Sequence, residues 1–214
     1  MRGLLVATTA ASALLAGLPA SEAQTQRRSI ERDRGNDAAT GPGPQDRGES
    51  GTVVRGRLLD QLFEGLAKAQ NPEEAAPFDA AISEVFRRTG SPTVDTLMGW
   101  AREAIGRNEM GPALDYIEGL LAIAPDTLDA YFLRGVVRLQ RRELSGAMAD
   151  MERVLHLEPR HYGAMGVAAS ILSETGRRAE AFRMLEMALR VHPHVPNGRR
   201  ALDALRPQVE GRPS

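Results

Sequence analysis

Cysteine is absent from all 214 residues. This excludes a disulfide framework, a thiolate metal centre and a cysteine nucleophile, and it removes the residue that carries the lipid of a lipidated bacterial N-terminus. Lysine is nearly absent: of 27 basic side chains only Lys68 is a lysine. Aromatic residues make up 4%, against the aromatic and β-branched richness of strands. Charge of either sign is not in excess, at a formal −1, so no global field directs the chain to nucleic acid or an anionic membrane. Long apolar runs are missing after the N-terminus, and no later segment approaches the roughly 20 residues of a membrane span. What remains is a helical, Ala/Leu/Arg-rich composition, 42% hydrophobic, long enough for one ordinary domain plus tails.

The first 23 residues have the layout of an export signal. Met1 and Arg2 give a positive start, Gly3 to Leu18 is apolar, and Pro19 breaks the run. Ser21 and Ala23 then place small residues where a signal peptidase reads, with cleavage expected before Gln24 and a periplasmic or secreted product. An uncleaved anchor is the competing reading; Thr8, Thr9 and Ser12 dilute the run against it. Residues 24–56 hold Arg27, Arg28, Arg32, Arg34 and a Gly41-Pro42-Gly43-Pro44 stretch, with almost no large apolar residues, and are expected to form a disordered leader.

Residues 57–92 are expected to form a helical hairpin. Leu58, Leu59, Leu62, Phe63 and Leu66 recur at helical spacing, and Phe78, Ala81, Ile82, Val85 and Phe86 do so again. Asn71, Pro72 and Glu74 carry helix-start chemistry, yet Pro77 follows five residues later. A single turn over 71–76, with the helix proper from Pro77, is the expected compromise.

Pro125, Pro159 and Pro193 then recur 34 residues apart. Numbering units from Val94, Leu128 and Tyr162 puts each proline at unit position 32. Position 8 then holds Ala101, Gly135 and Ala169; position 20 holds Ala113, Ala147 and Ala181; position 24 holds Ile117, Met151 and Leu185; position 27 holds Leu120, Val154 and Ala188. Small residues at 8 and 20 let two helices pack closely, and proline ends the second helix. Length, helix count and small-residue placement resemble the tetratricopeptide repeat (TPR) family, over about 100 residues. The resemblance implies an all-α fold: an α-solenoid of three hairpins, 94–127, 128–161 and 162–195, with 57–92 as a degenerate first repeat, a capping helix over 196–208 and a tail over 209–214. Pro207 and the polar end after it are expected to fray. The sequence departs from the family at position 11, usually aromatic, where Ala104, Arg138 and Leu172 stand, and at Arg134, polar at position 7. Unit two is therefore expected to be less well packed.

Catalytic and cofactor patterns are not found: there is no phosphate-binding loop, dinucleotide fingerprint, nucleophile elbow or His-Glu-x-x-His. The histidines are His156, His161, His192 and His194. His156 and His192 fall near ends of second helices, where an imidazolium suits the helix dipole. His192 and His194 flank Pro193 without a carboxylate cluster nearby in sequence, a poor metal site. Met148, Met151, Met165, Met184 and Met187 stand at core spacing and read as filler. No catalysis, cofactor or metal is expected. The paired arginines 141–142, 177–178 and 199–200 fall at turns or the cap without aromatic interleaving, so nucleic acid is not expected either.

The resemblance also implies a concave groove lined by the first helix of each unit, through positions 2, 5, 9, 12 and 13. Carried over, these are Asp95, Met98, Arg102, Ile105 and Gly106; Asp129, Phe132, Val136, Leu139 and Gln140; and Gly163, Gly166, Ser170, Ser173 and Glu174. The apolar middle of that surface suits a docked helix or extended peptide from a protein partner. The N-terminal hairpin or the leader is the competing occupant. The carboxylate clamp known in the family would fall on Met98, Arg102, Leu133, Gly163 and Val167, where only Arg102 is suited, so a chaperone-tail clamp is not expected. Charge divides along the chain: residues 57–129 carry 6 basic and 13 acidic side chains, net −7, and residues 130–214 carry 14 and 9, net +5. That polarity favours head-to-tail self-association or a partner of matching charge. An adaptor for protein–protein interaction is the first expectation, a self-assembling envelope protein the second, and an enzyme or metal protein on a helical scaffold the third.

Overall fold

The computed structural model describes residues 44–211. Among them are nine helices and no strand: α1 (Pro44–Lys68), α2 (Pro72–Arg87), α3 (Pro92–Gly106), α4 (Met110–Ile123), α5 (Leu128–Gln140), α6 (Leu144–Leu157), α7 (Tyr162–Glu174), α8 (Arg178–Val191) and α9 (Gly198–Glu210). The export signal, leader residues 24–43 and tail residues 212–214 lie outside the described residues. The chain separates into two units, Met1–Thr52 and Val53–Ser214. The first contributes only the start of α1 to the described residues.

The 34-residue register organises α3 to α8 as three helical hairpins. Each turn between paired helices uses one left-handed residue at unit position 15: Asn108 (φ 61), Arg142 (φ 64) and Gly176 (φ 78). The next amide then donates five residues back, Glu109 to Ala104 O at 2.8 Å, Glu143 to Arg138 O at 2.9 Å and Arg177 to Leu172 O at 2.8 Å. These bonds satisfy carbonyls that the helix end leaves open. Between units, Ala124, Glu158 and His192 are extended, at φ −138, −140 and −132, because each precedes a proline whose ring disfavours helix there. The repeated prolines therefore stop the second helices where the sequence places them.

The small positions are at the helix contacts. Ala101, Ala113, Ala147 and Ala181 are fully buried, as are Ile117, Met151, Leu120 and Val154. At Gly135 an added methyl would run into Met151 and lie 3.1 Å from Cβ of Asp150. The approach of α5 to α6 leaves little room for a Cβ at this position.

Four sequence expectations need correction. Helix α1 begins at Pro44, inside the stretch read as a leader. Once the apolar stripe of Leu59, Phe63 and Leu66 holds the helix, upstream residues add at one hydrogen bond each, and Pro44 sits in the first turn, where its missing N–H costs nothing. Helix α2 runs unbroken through Pro77. Asn71 Oδ1 accepts from Glu74 N at 2.9 Å and Glu74 accepts from Gln70 N at 2.9 Å. This closed N-terminal box holds the first turn, so Pro77 forfeits one bond without breaking the helix. Helix α9 likewise continues through Pro207, because Val209 beyond it still packs on the cluster of Leu202, Leu205 and Phe182.

The fourth correction concerns the hairpin α1–α2. It does not act as a repeat stacked ahead of unit one; it runs lengthwise beside the array. Asp60 reaches Arg160 at 2.7 Å, Asp79 accepts from the Tyr162 hydroxyl, and Ala69 O accepts from His194 Nε2 at 3.0 Å. Its own core joins Leu59, Phe63, Leu66, Ala75, Ile82 and Phe86, and against this pack Leu128, Tyr162 and Val191. A methyl on Gly65 would run into the ring of Phe78, so α1 and α2 approach through that glycine.

Candidate functional site

The residues expected to line a groove divide into two groups. Toward the N-terminal ends of the first helices, and at Arg102 further along α3, they are already committed. Asp95 accepts from Thr89 N at 2.9 Å and Thr89 Oγ1 at 2.8 Å, fixing the connector from α2. Met98 is fully buried between α3, α4 and α5, out of reach of any partner. Arg102 is spent on the buried carboxylate of Asp129, and burial, with Arg87 adding repulsion, holds its pKa below the usual value. The one clamp-like cation in the groove is thus an internal partner.

Phe132 and Gly163 lie beneath aromatic rings. The imidazole of His161 sits between Phe86 of α2, centroids 4.7 Å apart and 11° from parallel, and Phe132 of α5, at 4.8 Å. A methyl on Gly163 would lie 3.2 Å from that imidazole and 3.4 Å from Phe132. His161 is also the N-cap of α7: Nδ1 accepts from Ala164 N at 3.0 Å. The proton therefore belongs on Nε2, and the ring is neutral. Burial lowers its pKa to about 4, against the pull of Glu158. The N-terminal hairpin thus occupies this half of the concave surface, the alternative weighed from the sequence.

At the C-terminal ends of the same helices the surface is open. Ile105, Val136, Leu139 and Ser173 are half-buried, and Gln140 and Ser170 are exposed. Ser170 Oγ donates back to Gly166 O at 3.1 Å, and Glu174 pairs with Arg142. Between α7 and α9 lies a cleft of about 480 Å³, with Ala169, Leu185 and Leu205 among the apolar lining and Ser170, Ser173, Glu174 and Gln208 among the polar. An apolar floor with hydroxyl and amide groups at its rim can take an apolar side chain while the attached backbone finds hydrogen bonds.

Two features escaped the sequence reading. Arg134 and Arg138, which looked like packing faults, converge on Asp150. Arg134 Nη2 lies 2.7 Å from Oδ1, and Arg138 Nη1 lies 2.9 Å from Oδ2, with Asp150 itself buried. Burial is the largest influence and disfavours the Arg134 charge. The hydrogen bonds and the attraction of Asp150, with Tyr131 and Glu118 adding to it, together outweigh burial and raise its pKa. Unit two is cross-linked by this triad where looseness was expected. His192, placed by the sequence at a helix end that suits an imidazolium, is buried against Tyr162, ring centroids 4.9 Å apart. Burial lowers its pKa, and its Nδ1 finds no hydrogen-bond partner among the described residues. Comparing unit position 23 across units, Tyr116, Asp150 and Met184, would have exposed the first; the second depends on the path of the hairpin.

Among the described residues no three His, Asp or Glu side chains gather closely enough to hold a metal ion, and no helix is long and apolar enough to cross a membrane. Part of the opposed charge is used within one chain, as Asp60 of the acidic half pairs with Arg160 of the other.

Residues 102–175 match the protein family described as "Tetratricopeptide repeat". The chain is 29% identical over 181 residues to a TPR repeat-containing protein of Rhizobium etli, covering 81% of this chain and 89% of that one. Solved structures of similar fold include the first TPR domain of Spaghetti (RPAP3) bound to an HSP90 peptide, at 13% identity and TM-score 0.52, over 55% of this chain and 93% of that chain. The Sgt2 TPR domain from Aspergillus fumigatus is similar at 18% identity and TM-score 0.53, over 58% and 87%. The Arabidopsis OM64 TPR domain is similar at 16% identity and TM-score 0.51, over 53% and 94%. At these identities the structures speak to the fold: an all-helical solenoid of TPR-like hairpins.

Proposed function

We propose that this chain, TPR-like over its three regular units, is a non-catalytic adaptor of the bacterial envelope that binds a segment of another protein on the open half of its concave surface. One observation carries the reading: unit positions 9 and 12 hold half-buried Val136 and Leu139 in unit two, and in unit three they hold Ser170 and Ser173, which line the cleft of about 480 Å³. Apolar side chains framed by polar ones suit a docked peptide, in the manner of groove-binding repeat proteins. Two of the structurally similar proteins are themselves complexes, one bound to an HSP90 peptide and one a TPR2B-domain complex with pHsp70. The clamp positions differ here, with Met98 buried and Arg102 paired to Asp129, so a carboxylate-tail ligand is not part of the proposal.

The test places a photo-crosslinking residue at Gln140 in the full chain, expressed in its native envelope. A crosslinked protein that disappears on Ser170→Arg with Ser173→Arg is expected, because both substitutions fill the cleft from its rim. Capture unchanged by that pair would move the binding surface elsewhere. Export rests on the signal-like residues 1–23 and is tested separately by sequencing the mature N-terminus. A start at Gln24 supports it; a mature chain beginning at Met1 and recovered in the cytoplasm overturns it.

A further inference from the structure

The hairpin α1–α2 behaves as a ligand attached to its own receptor. It keeps a core of its own, distinct from those of the repeats. What crosses the seam is an aromatic anchor, Phe86 on His161, and acidic groups, Asp60 on Arg160 and Asp79 on Tyr162. Helix α2 presents Asp79 and Phe86 to the repeats, while Phe78 and Ile82 of the same helix pack into the hairpin's own core. The receiving residues belong to the basic part of the chain, net +5 over 130–214.

The seam is also imperfect. His192 is buried there with Nε2 3.9 Å from Asp79, beyond hydrogen-bond distance, and Nδ1 without a hydrogen bond. The hairpin joins unit one through a short connector, 88–91, with Gly90 exposed at φ 84. Lifting the hairpin away uncovers Leu128, Tyr162, Val191 and the ring of His161, an apolar and aromatic surface that a replacing helix would cover again.

We infer that the surface under the hairpin is a second docking surface, fitted to an acidic amphipathic helix bearing an aromatic residue, and that α1–α2 occupies it in cis until such a helix competes. The inference extends the adaptor reading, from which it takes only that partners bind the first helices. It stands or falls separately from binding at the Gln140 side.

The probe is a fluorescein-labelled synthetic peptide of residues 71–88, titrated with the full chain by fluorescence anisotropy. Phe86→Ala in the protein weakens the hold in cis, and with more of the competent state populated the wild-type peptide is expected to bind at least about tenfold tighter than it does to the unaltered chain. A peptide carrying Asp79→Lys is expected to lose that gain. Equal binding by the two proteins, with both cooperatively folded, overturns the inference. Should Phe86→Ala fail to fold, amide hydrogen exchange on the unaltered chain decides. Exchange in α1–α2 through an opening that leaves α5–α8 protected supports a releasable hairpin, and equal protection throughout overturns it. Crosslinking at Gln140 is indifferent to either result.

Discussion

Arg134 and Asp150 are bound at 2.7 Å across α5 and α6 at unit positions 7 and 23, the two places that Trp100 and Tyr116 fill one unit earlier with ring centroids 5.8 Å apart. Unit three has Ala168 and Met184 there. One geometric slot is thus closed by an aromatic pair, an ion pair and an apolar pair in turn. Charge on one helix is tolerated because the matching charge stands on the other.

From this follows a stability prediction. Asp150→Ala leaves two partly buried guanidinium groups without their acceptor and should cost about 3 kcal/mol. Importing the unit-three solution, Arg134→Ala with Asp150→Met, should cost less than the single change, since one unpaired charge leaves and the slot is refilled. Urea denaturation of the three proteins makes the comparison.

His161 ties stability to pH. Its folded pKa, about 4, lies below the unfolded value near 6.5, so the unfolded chain binds the proton first. The contribution is fully present above pH 6.5 and is lost as pH falls toward 4. Between pH 8 and pH 5 the loss from this residue is about 2 kcal/mol. His161→Asn keeps a side-chain acceptor at the N-cap and should flatten that slope. Burial of neutral His192 acts in the same direction, so part of the slope should persist. Thermal melts across the range provide the measurement.

Glycines separate by geometry. Gly176, left-handed at φ 78 with open space around it, should lose about 1 kcal/mol as alanine, from backbone strain alone. Gly166, within α7 and equally open, should gain up to about 1 kcal/mol from the same change. Gly135→Ala should cost about 1–3 kcal/mol through overpacking against Asp150 and the Ala147 carbonyl, 3.3 Å away. Opposite signs for Gly176 and Gly166 in chemical denaturation are the decisive result.

Arg142 supplies a complementary case. It is a non-glycine residue at φ 64, held beside Glu174 by an exposed ion pair. Such a pair contributes at most about 1 kcal/mol, while relief of the left-handed strain is worth about 1–2 kcal/mol. Arg142→Gly should therefore leave stability unchanged or slightly raised, and high salt should reduce the stability of the parent more than that of the variant.

The repeat register was legible because it is local. Proline, the residue before it and the small contacts at positions 8 and 20 act within one 34-residue period, and each recurs three times. The hairpin was legible as two helices but not in its placement, because the contacts that position it join residues 83, 100 and 125 apart. No periodic pattern reports such pairings. Pro77 and Pro207 misled for the opposite reason, as a local rule gave way to a capping box in one case and to Val209 packing in the other. Of the groove, the family resemblance supplied the positions, but burial of Met98 and pairing of Arg102 depended on neighbours from the adjoining unit.

The path of α1–α2 also bears on how the chain is made. A repeat array of this kind can mature unit by unit as it is synthesised, each hairpin resting on the one before it. Here α1 and α2 wait for Tyr162, Arg160 and His194, partners that lie 83, 100 and 125 residues further along the chain. Until then Phe63 and Phe86 lack their covering rings, so the nascent chain carries an unfilled apolar surface through most of its synthesis.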